Sequence, residues 1–192
     1  MRICRRLFVV LLANNDHGKT TMIRALVSQG LGKAIGKQKN GIRKLTSPWG
    51  RPIDAYIFGR SYQEVEKGNH DSVAEALDKN DPDWRERELV IMPSHVSYIE
   101  NGDEGDDIDQ MIDVAHSAGF DVICATVSFA ALTGNNRTRF SDIWRKPWDE
   151  RWTIPRVRSG VQSPLRTGDP FGRQADLAKF RRALRCCNRW RL

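Results

Sequence analysis

The chain has 192 residues and a formal net charge of +7; 40% of its residues are hydrophobic and 29% are charged. This length fits one domain with room for a small appendage, and the apolar content suffices for a packed core, which excludes an intrinsically disordered chain. The four cysteines have neither the paired spacing of a zinc site nor the pattern of a disulfide framework.

The positive charge is concentrated towards the C-terminus. Residues 137–192 hold 15 Lys and Arg against 5 Asp and Glu, whereas residues 1–136 hold 16 against 19. Such asymmetry indicates a basic surface for a polyanion, either nucleic acid or a nucleotide; an arginine-rich, solvated surface explains it equally well. No zinc finger, helix-turn-helix or aromatic-rich RNA-binding motif accompanies it.

The N-terminal segment predicts a strand, a tight loop and a helix. Leu7 to Leu12 is a continuous apolar run, typical of a strand that is covered on both faces. After the loop, apolar residues recur at helical spacing, and two glycines offer ends for the helix. The apolar positions and the glycines are Ile23, Leu26, Val27, Leu31, Gly30 and Gly32.

The same N-terminal residues imitate the start of a secretory signal peptide. Three arginines precede the apolar run, but the run is at the short limit and Asn14-Asn15-Asp16 is a poor cleavage site. No other stretch approaches the roughly 18 apolar residues of a membrane helix. We therefore expect a strand in a soluble, cytoplasmic protein without a membrane partner.

The middle of the chain alternates strands and helices. Residues 33–52 are basic and rich in Gly and Pro, which predicts a loop or flap. Strands are expected at 53–58, at 88–92, where Pro93 stops the strand, and at 120–127. Helices are expected at 72–77 and at 107–118, the latter capped by Asp106 or Asp107 and ended by Gly119. This order indicates parallel strands with right-handed crossovers, and hence a three-layer α/β fold with a mostly parallel sheet.

Regularity fades after Ser128. Trp144, Trp148 and Trp152 lie four residues apart, but Pro147 argues against one continuous helix, so we expect them to pack a small C-terminal appendage. Residues 153–172 should form a loop, and residues 176–185 a final amphipathic helix. The chain is therefore divided into an α/β nucleotide-binding domain at 1–136 and a basic, irregular extension at 137–192.

The loop after the first strand has the pattern of a phosphate-binding P-loop. It ends in Gly18-Lys19-Thr20 and departs from the pattern in having Ala13 where glycine is usual. Backbone N–H groups and the helix dipole favour a phosphate here, Lys19 is expected to reach the β- and γ-phosphates, and the Thr20 hydroxyl to bind Mg²⁺. The predicted nucleotide-binding residues are Ala13, Asn14, Asn15, Asp16, His17, Gly18, Lys19, Thr20 and Thr21.

The chain resembles P-loop NTPases, and in particular the P-loop kinases that include nucleotide kinases and zeta-toxin-like kinases. Besides the P-loop, residues 115–122, AHSAGFDV, are similar to the end of a helix and the start of a strand in those kinases. The resemblance implies ATP-dependent phosphoryl transfer with Mg²⁺, under a lid whose arginines neutralise charge on the transferred group. Arg137 and Arg139 stand where that lid should begin.

Translation-factor-like GTPases are the second branch that the chain resembles. Asp16-His17-Gly18-Lys19-Thr20-Thr21 is similar to their phosphate loop, which keeps GTP open beside ATP. However, Ile91 stands where the magnesium-linked aspartate belongs, Ser94 replaces the γ-phosphate-sensing glycine, and residues 126–129 lack the guanine-recognition pattern. A working GTPase of that type is therefore not expected.

The third predicted strand also lacks the acidic residue that usually supports magnesium, since it ends in Met92-Pro93-Ser94-His95. Ser94 is a candidate for holding a metal-bound water, and His95 for acting as a base or contacting phosphate. After the second predicted strand, Glu64 or Glu66 is a candidate base for the acceptor hydroxyl, although either could be a solvated helix residue.

These observations predict a small P-loop NTPase of kinase-like architecture, with Lys19, Glu64, His95, Arg137 and Arg139 as its catalytic residues. The acceptor would be a nucleotide or a nucleic-acid end. One alternative is a nucleotide-binding accessory subunit without efficient catalysis, which contacts nucleic acid through its basic C-terminal region. The other is a degenerate translation-factor-like GTPase.

Overall fold

The computed structural model describes residues 5–14, 18–48, 50–96, 104–127 and 135–154. Six strands form one sheet: β1 (Arg6–Leu12), β2 (Gly41–Thr46), β3 (Pro52–Ile57), β4 (Leu89–Ser94), β5 (Phe120–Val127) and β6 (Glu150–Ile154). Five helices accompany it: α1 (Lys19–Leu31), α2 (Tyr62–Val65), α3 (Val73–Asn80), α4 (Glu104–Ser117) and α5 (Asn135–Arg145).

The sheet has the order β2-β3-β4-β1-β5-β6. Only the β2–β3 pair is antiparallel; β3, β4, β1, β5 and β6 run parallel to one another. The predicted α/β class with a mostly parallel sheet is confirmed.

Helices cover both faces of the sheet because its central strands alternate between two cores. In β1, Leu7, Val9 and Leu11 pack in the same core as the apolar residues of α1. Phe8 and Val10 belong to the other core, which contains the apolar residues of α3 and α4. Such burial on both faces explains why β1 is a continuous apolar run rather than an alternating one.

A crevice is expected at the carboxyl ends of β1 and β4. These two strands are neighbours, yet the helix that follows β1 packs on one face of the sheet and α4, which follows β4, packs on the other. In open parallel sheets, ligands bind in the crevice between two neighbouring strands whose following helices lie on opposite faces of the sheet. The loop after β1 and the residues after β4 both lie at this point.

Glycine follows the ends of α1 and α4 as predicted, and Ser72, which was expected inside α3, caps its start. Gly32 ends α1 in the left-handed conformation, with φ 65°, and the Ser72 hydroxyl accepts a hydrogen bond from the N–H of Glu75 at the start of α3. Gly119, with φ 77°, follows the end of α4. In contrast, α4 begins at Glu104, so the prediction that Asp106 or Asp107 caps it was wrong.

Two strand predictions were also wrong. Residues 33–52 are not only a loop, because β2 lies within them and pairs with β3. Pro93 does not stop β4, which continues to Ser94. The Ile91 carbonyl faces β3, where it accepts from the N–H of Phe58, so the nitrogen of Pro93 faces the same side beyond the last β3–β4 pair. No ladder hydrogen bond is lost there, and proline is tolerated.

The segment after Ser128 is more regular than expected. It contains α5 and β6, and β6 extends the sheet parallel to β5. Trp148 is buried in the core of α3 and α4, and Trp144 packs against that core, so they do not form a separate appendage. The loop expected at 153–172, apart from its first two residues, and the helix expected at 176–185 lie outside the described residues.

Candidate functional site

The candidate site begins where the chain leaves β1 and enters α1. The N–H of Ala13 donates to the Ser94 carbonyl at 3.2 Å, which fixes the start of the loop against the end of β4. Gly18 ends the loop with φ 84°, a left-handed conformation that favours glycine. Helix α1 starts at the next residue, so the N–H groups of its first turn and its positive dipole end face this loop.

Lys19, the first residue of α1, folds back into the loop. Its side chain is buried, with 7% exposure, and Nζ donates to the carbonyl oxygens of Ala13 at 2.9 Å and Asn14 at 3.0 Å. Nζ also lies 3.3 Å from Nδ1 of His95, which follows β4. These contacts place a desolvated ammonium group at the crevice between β1 and β4.

The contacts of His95 define which of its nitrogens holds the proton. The Lys19 ammonium can only donate, so Nδ1 must accept and carries no hydrogen. Nε2 therefore carries the hydrogen and points it at Glu64 Oε1, 2.9 Å away, and at the Ser61 hydroxyl. Burial and, to a lesser extent, Lys19 lower the pKa of His95, while Glu64 opposes that shift. His95 is thus a neutral imidazole that bridges a cation and a carboxylate.

Gln63 joins the end of β4 to the segment around α2. Its Nε2 donates to the buried hydroxyl of Ser94 at 2.9 Å, and its Oε1 accepts from the backbone N–H of His95 at 3.3 Å. One amide side chain thereby fixes two consecutive residues of β4 and its extension. The position of His95 consequently depends on the segment after β3.

The segment around α2 is held in place by Glu66, a buried carboxylate. Its two oxygens accept from the side-chain amides of Asn40 at 2.8 Å and Asn80 at 2.9 Å, and His70 Nε2 lies 3.3 Å away. Asn40 also accepts from the N–H of Gly59 at 2.8 Å. Glu66 is therefore a structural anchor and not an exposed base.

The structure brings three of the predicted catalytic residues together: Lys19, Glu64 and His95. Among the predicted nucleotide-binding residues, Thr20 and Thr21 are exposed on the first turn of α1. Arg139 is on α5, before β6. The predicted residues Asn15, Asp16 and His17, and the side chain of Arg137, lie outside the described residues.

Ser61 and Gln63 were missed as members of the site. Both are common polar residues in a segment that the sequence places after a strand, and neither belongs to a chemical motif. The available signal was topological: the carboxyl ends of parallel neighbours meet at one edge, so residues after β3 and β4 can contact one another. The sequence did not establish that β3 and β4 are neighbours.

The residues present suit an anion better than a bare metal ion. In the described ranges, no three His, Cys, Asp or Glu side chains form a group that could hold a metal. Magnesium in phosphoryl-transfer sites keeps several waters and is bound by substrate phosphates with one or two carboxylates, beside a Ser or Thr hydroxyl in P-loop proteins; the exposed Thr20 could supply that hydroxyl. The ammonium and helix N-terminus provide the positive charge that a phosphate requires.

Comparisons with known proteins add no identity. No protein-family model matches the chain, and no curated protein matches it. A crystal structure of an SsGBP mutation variant is similar over 94% of this chain, with 10% sequence identity and a TM-score of 0.38. This chain spans 57% of that protein's length, and a likeness at this level carries no inference. Among the described helices, none has the length and apolar character needed to cross a bilayer.

Proposed function

We propose that the chain is a P-loop NTPase of kinase-like architecture, which binds the phosphates of a nucleoside triphosphate, ATP or GTP, at residues 13–21. One observation carries the proposal: the buried ammonium of Lys19 lies against the carbonyls of the β1–α1 loop, at the start of a helix and beside the end of β4. A triphosphate brings several anionic oxygens to this position. These oxygens replace the neutral carbonyl acceptors of Lys19 with charged ones, which form stronger hydrogen bonds.

Phosphoryl transfer is the reaction that we propose for this site. Magnesium, bound with the triphosphate through Thr20, would neutralise charge on the phosphate oxygens. Glu64 is the proposed base for an acceptor hydroxyl, because it is 39% exposed and reaches the site through His95. His95 itself cannot take that proton at Nε2, where it already carries a hydrogen. Its role is to fix the positions of Glu64 and Lys19, since it contacts both. Arg139 and Arg137 remain the proposed lid residues.

The second candidate is a nucleotide-binding subunit with little or no turnover. The observation that favours it is the end of β4, where Pro93 and Ser94 stand in place of the acidic residue usual in NTPases. The Ser94 hydroxyl accepts from Gln63, so this position contributes to the architecture of the site. In this alternative, the basic C-terminal region contacts nucleic acid.

A thermal-shift titration of the full chain tests nucleotide binding. With Mg²⁺ and ATP, GTP or their non-hydrolysable analogues at about 100 times Kd, binding should add about 2.7 kcal/mol of stability and raise Tm by roughly 5–10 °C. Lys19→Met should abolish the shift. Lys33→Met, at an exposed lysine beyond the end of α1, is the matched control and should preserve it.

Two results would overturn nucleotide binding at this site: no shift at millimolar nucleotide, or an equal shift in Lys19→Met. Product release then separates the two candidates. Nucleotide turnover by the native chain, reduced in Glu64→Gln without loss of the thermal shift, supports the enzyme. A thermal shift without turnover, even with nucleotide and oligonucleotide acceptors supplied, supports the accessory subunit.

A further inference from the structure

A second basic region lies on the side of the sheet formed by β2. Residues 17–53 contain eight Lys and Arg and no Asp or Glu. The net charge of residues 1–136 does not reveal this excess of positive charge, because acidic residues in the rest of that range outweigh it. Unlike the basic C-terminal region, most of this stretch belongs to the described residues.

The fold gathers four of these eight residues together with Arg60 at one place, which we call the basic edge: Arg24, Lys37, Lys39, Arg43 and Arg60. The guanidinium of Arg24 on α1 donates to the Gly36 carbonyl at 3.1 Å, which holds the loop before β2 against the helix. Arg43 donates to the Lys39 carbonyl at 3.4 Å. Gly59, next to Arg60, packs closely against the backbone of Lys39. These contacts bring the loop before β2, the end of β3 and α1 together, so the five residues lie close to one another at this side of the sheet.

The basic edge is available to a ligand. Lys37, Lys39, Arg24 and Arg60 are exposed, and none of the five forms an ion pair with another described residue. The acidic side chains nearby are already engaged: Glu66 is buried between two amides, and Glu64 is bound to His95. Within the described sheet, β2 pairs only with β3, so its other edge is open.

The chemistry of the edge favours a nucleic-acid strand over a lipid surface. Ile42, which adjoins Arg43, is 47% exposed and is the single exposed large hydrophobic side chain among the described residues. Peripheral membrane binding by an apolar face needs several such residues. Sites for single-stranded nucleic acid combine positive charges that follow the backbone with aromatic side chains on which the bases stack. The basic edge supplies the positive charges, so the contact inferred here is with the backbone.

We propose that the basic edge binds the phosphate backbone of single-stranded nucleic acid. The proposal is independent of nucleotide binding at Lys19, although the edge adjoins the candidate site, since Arg60 precedes Ser61. A strand bound here would bring its phosphates and sugar hydroxyls next to the segment that carries Glu64.

Fluorescence anisotropy with a labelled 20-nucleotide single strand, as RNA and as DNA, tests this proposal on the full chain. Binding by single strands weakens with salt with a slope of about −0.7 per phosphate contact, so each contact contributes roughly fivefold at 0.1 M salt. The double variant Lys37→Glu/Lys39→Glu should therefore lose about 25-fold in affinity, and its salt slope should be less steep by about 1.4. A thermal melt of the double variant checks that it is folded, as expected for substitutions at exposed positions.

Lys79→Glu/Arg85→Glu is the matched control, because it makes the same change in net charge at two exposed positions, on α3 and in the turn after it, that lie outside both basic regions. At 0.1 M salt, screening should keep its affinity within about threefold of the native value. Lys19→Met should also bind the strand normally, which separates this proposal from the one on nucleotide binding. Equal losses in both double variants, a salt-independent affinity, or binding to anionic-lipid vesicles but not to the oligonucleotide would each overturn the proposal.

Discussion

Replacing Glu66 with glutamine should destabilise the protein although the two side chains have nearly the same shape. Each carboxylate oxygen accepts from a side-chain amide, one from Asn40 and one from Asn80, and the side chain is 4% exposed. Glutamine offers one oxygen and one NH₂ group, so one of the two asparagine NH₂ groups would face another donor.

The surrounding side chains cannot relieve this conflict without a further loss. If Asn80 rotated to present its oxygen, its Nδ2 would no longer donate to the Ala76 carbonyl, 2.8 Å away, and its Oδ1 would no longer accept from the Tyr56 hydroxyl. A hydrogen bond to a charged group contributes about 1.5–3 kcal/mol and a neutral one about 1 kcal/mol. Relief from burying a charge offsets part of this loss, so Glu66→Gln should cost about 2–3 kcal/mol.

Urea unfolding measures this cost. With a slope of about 2–3 kcal/mol per molar urea, the midpoint should fall by about 1 M. Glu86→Gln, at an exposed glutamate, is the control and should leave the midpoint within the error of the measurement. A loss below about 0.5 kcal/mol in Glu66→Gln would refute the reasoning, because it would mean that these hydrogen bonds add nothing beyond shape.

Three further results are expected. Burial lowers the pKa of His95 below its usual 6.5, so near that pH the unfolded chain binds more protons than the folded chain. The free energy of unfolding should therefore fall as the pH drops below about 6.5, and it should fall less in His95→Gln. Urea unfolding at pH 7 and pH 5.5 measures both changes. Gly59→Ala should cost about 1–3 kcal/mol because its Cβ would lie 2.9 Å from the Gln38 carbonyl oxygen, whereas Gly68→Ala, in open space, should not; equal Tm values for the two variants would contradict this. Burial raises the pKa of Cys124 to about 12, so peptide mapping after iodoacetamide treatment at pH 8 should find it labelled only when the chain is unfolded.

Some helices and strands could be predicted from the local sequence pattern alone, because their conformation does not depend on which strand or helix they pack against. The apolar run at residues 7–12 must be buried on both faces, and the spacing after Lys19 produces one apolar helical face, so β1 and α1 could be predicted. The same holds for α3, where Ser72 supplies the cap. For β2 the information was not local: only Leu45 of its six residues is buried, and pairing with β3 makes the segment a strand.

The candidate site shows the same division. Lys19, Glu64 and His95 were identified as chemically suitable, but their contacts depend on β4 lying between β1 and β3. Residue spacing along the chain does not contain that adjacency. The role of Glu66 could not be predicted either, because its partners Asn40 and Asn80 come from two other elements.

The open side of β2 has a consequence for self-association. A strand with unpaired backbone groups and an exposed Ile42 is a template on which a second copy of the chain could extend the sheet. Arg43 and Lys44 follow Ile42 on opposite faces of the strand, so edge-to-edge pairing of two copies would bring like charges together on both faces. The charges that make this edge suitable for a polyanion thus also protect the sheet against growth by aggregation, because they repel another sheet of the same kind.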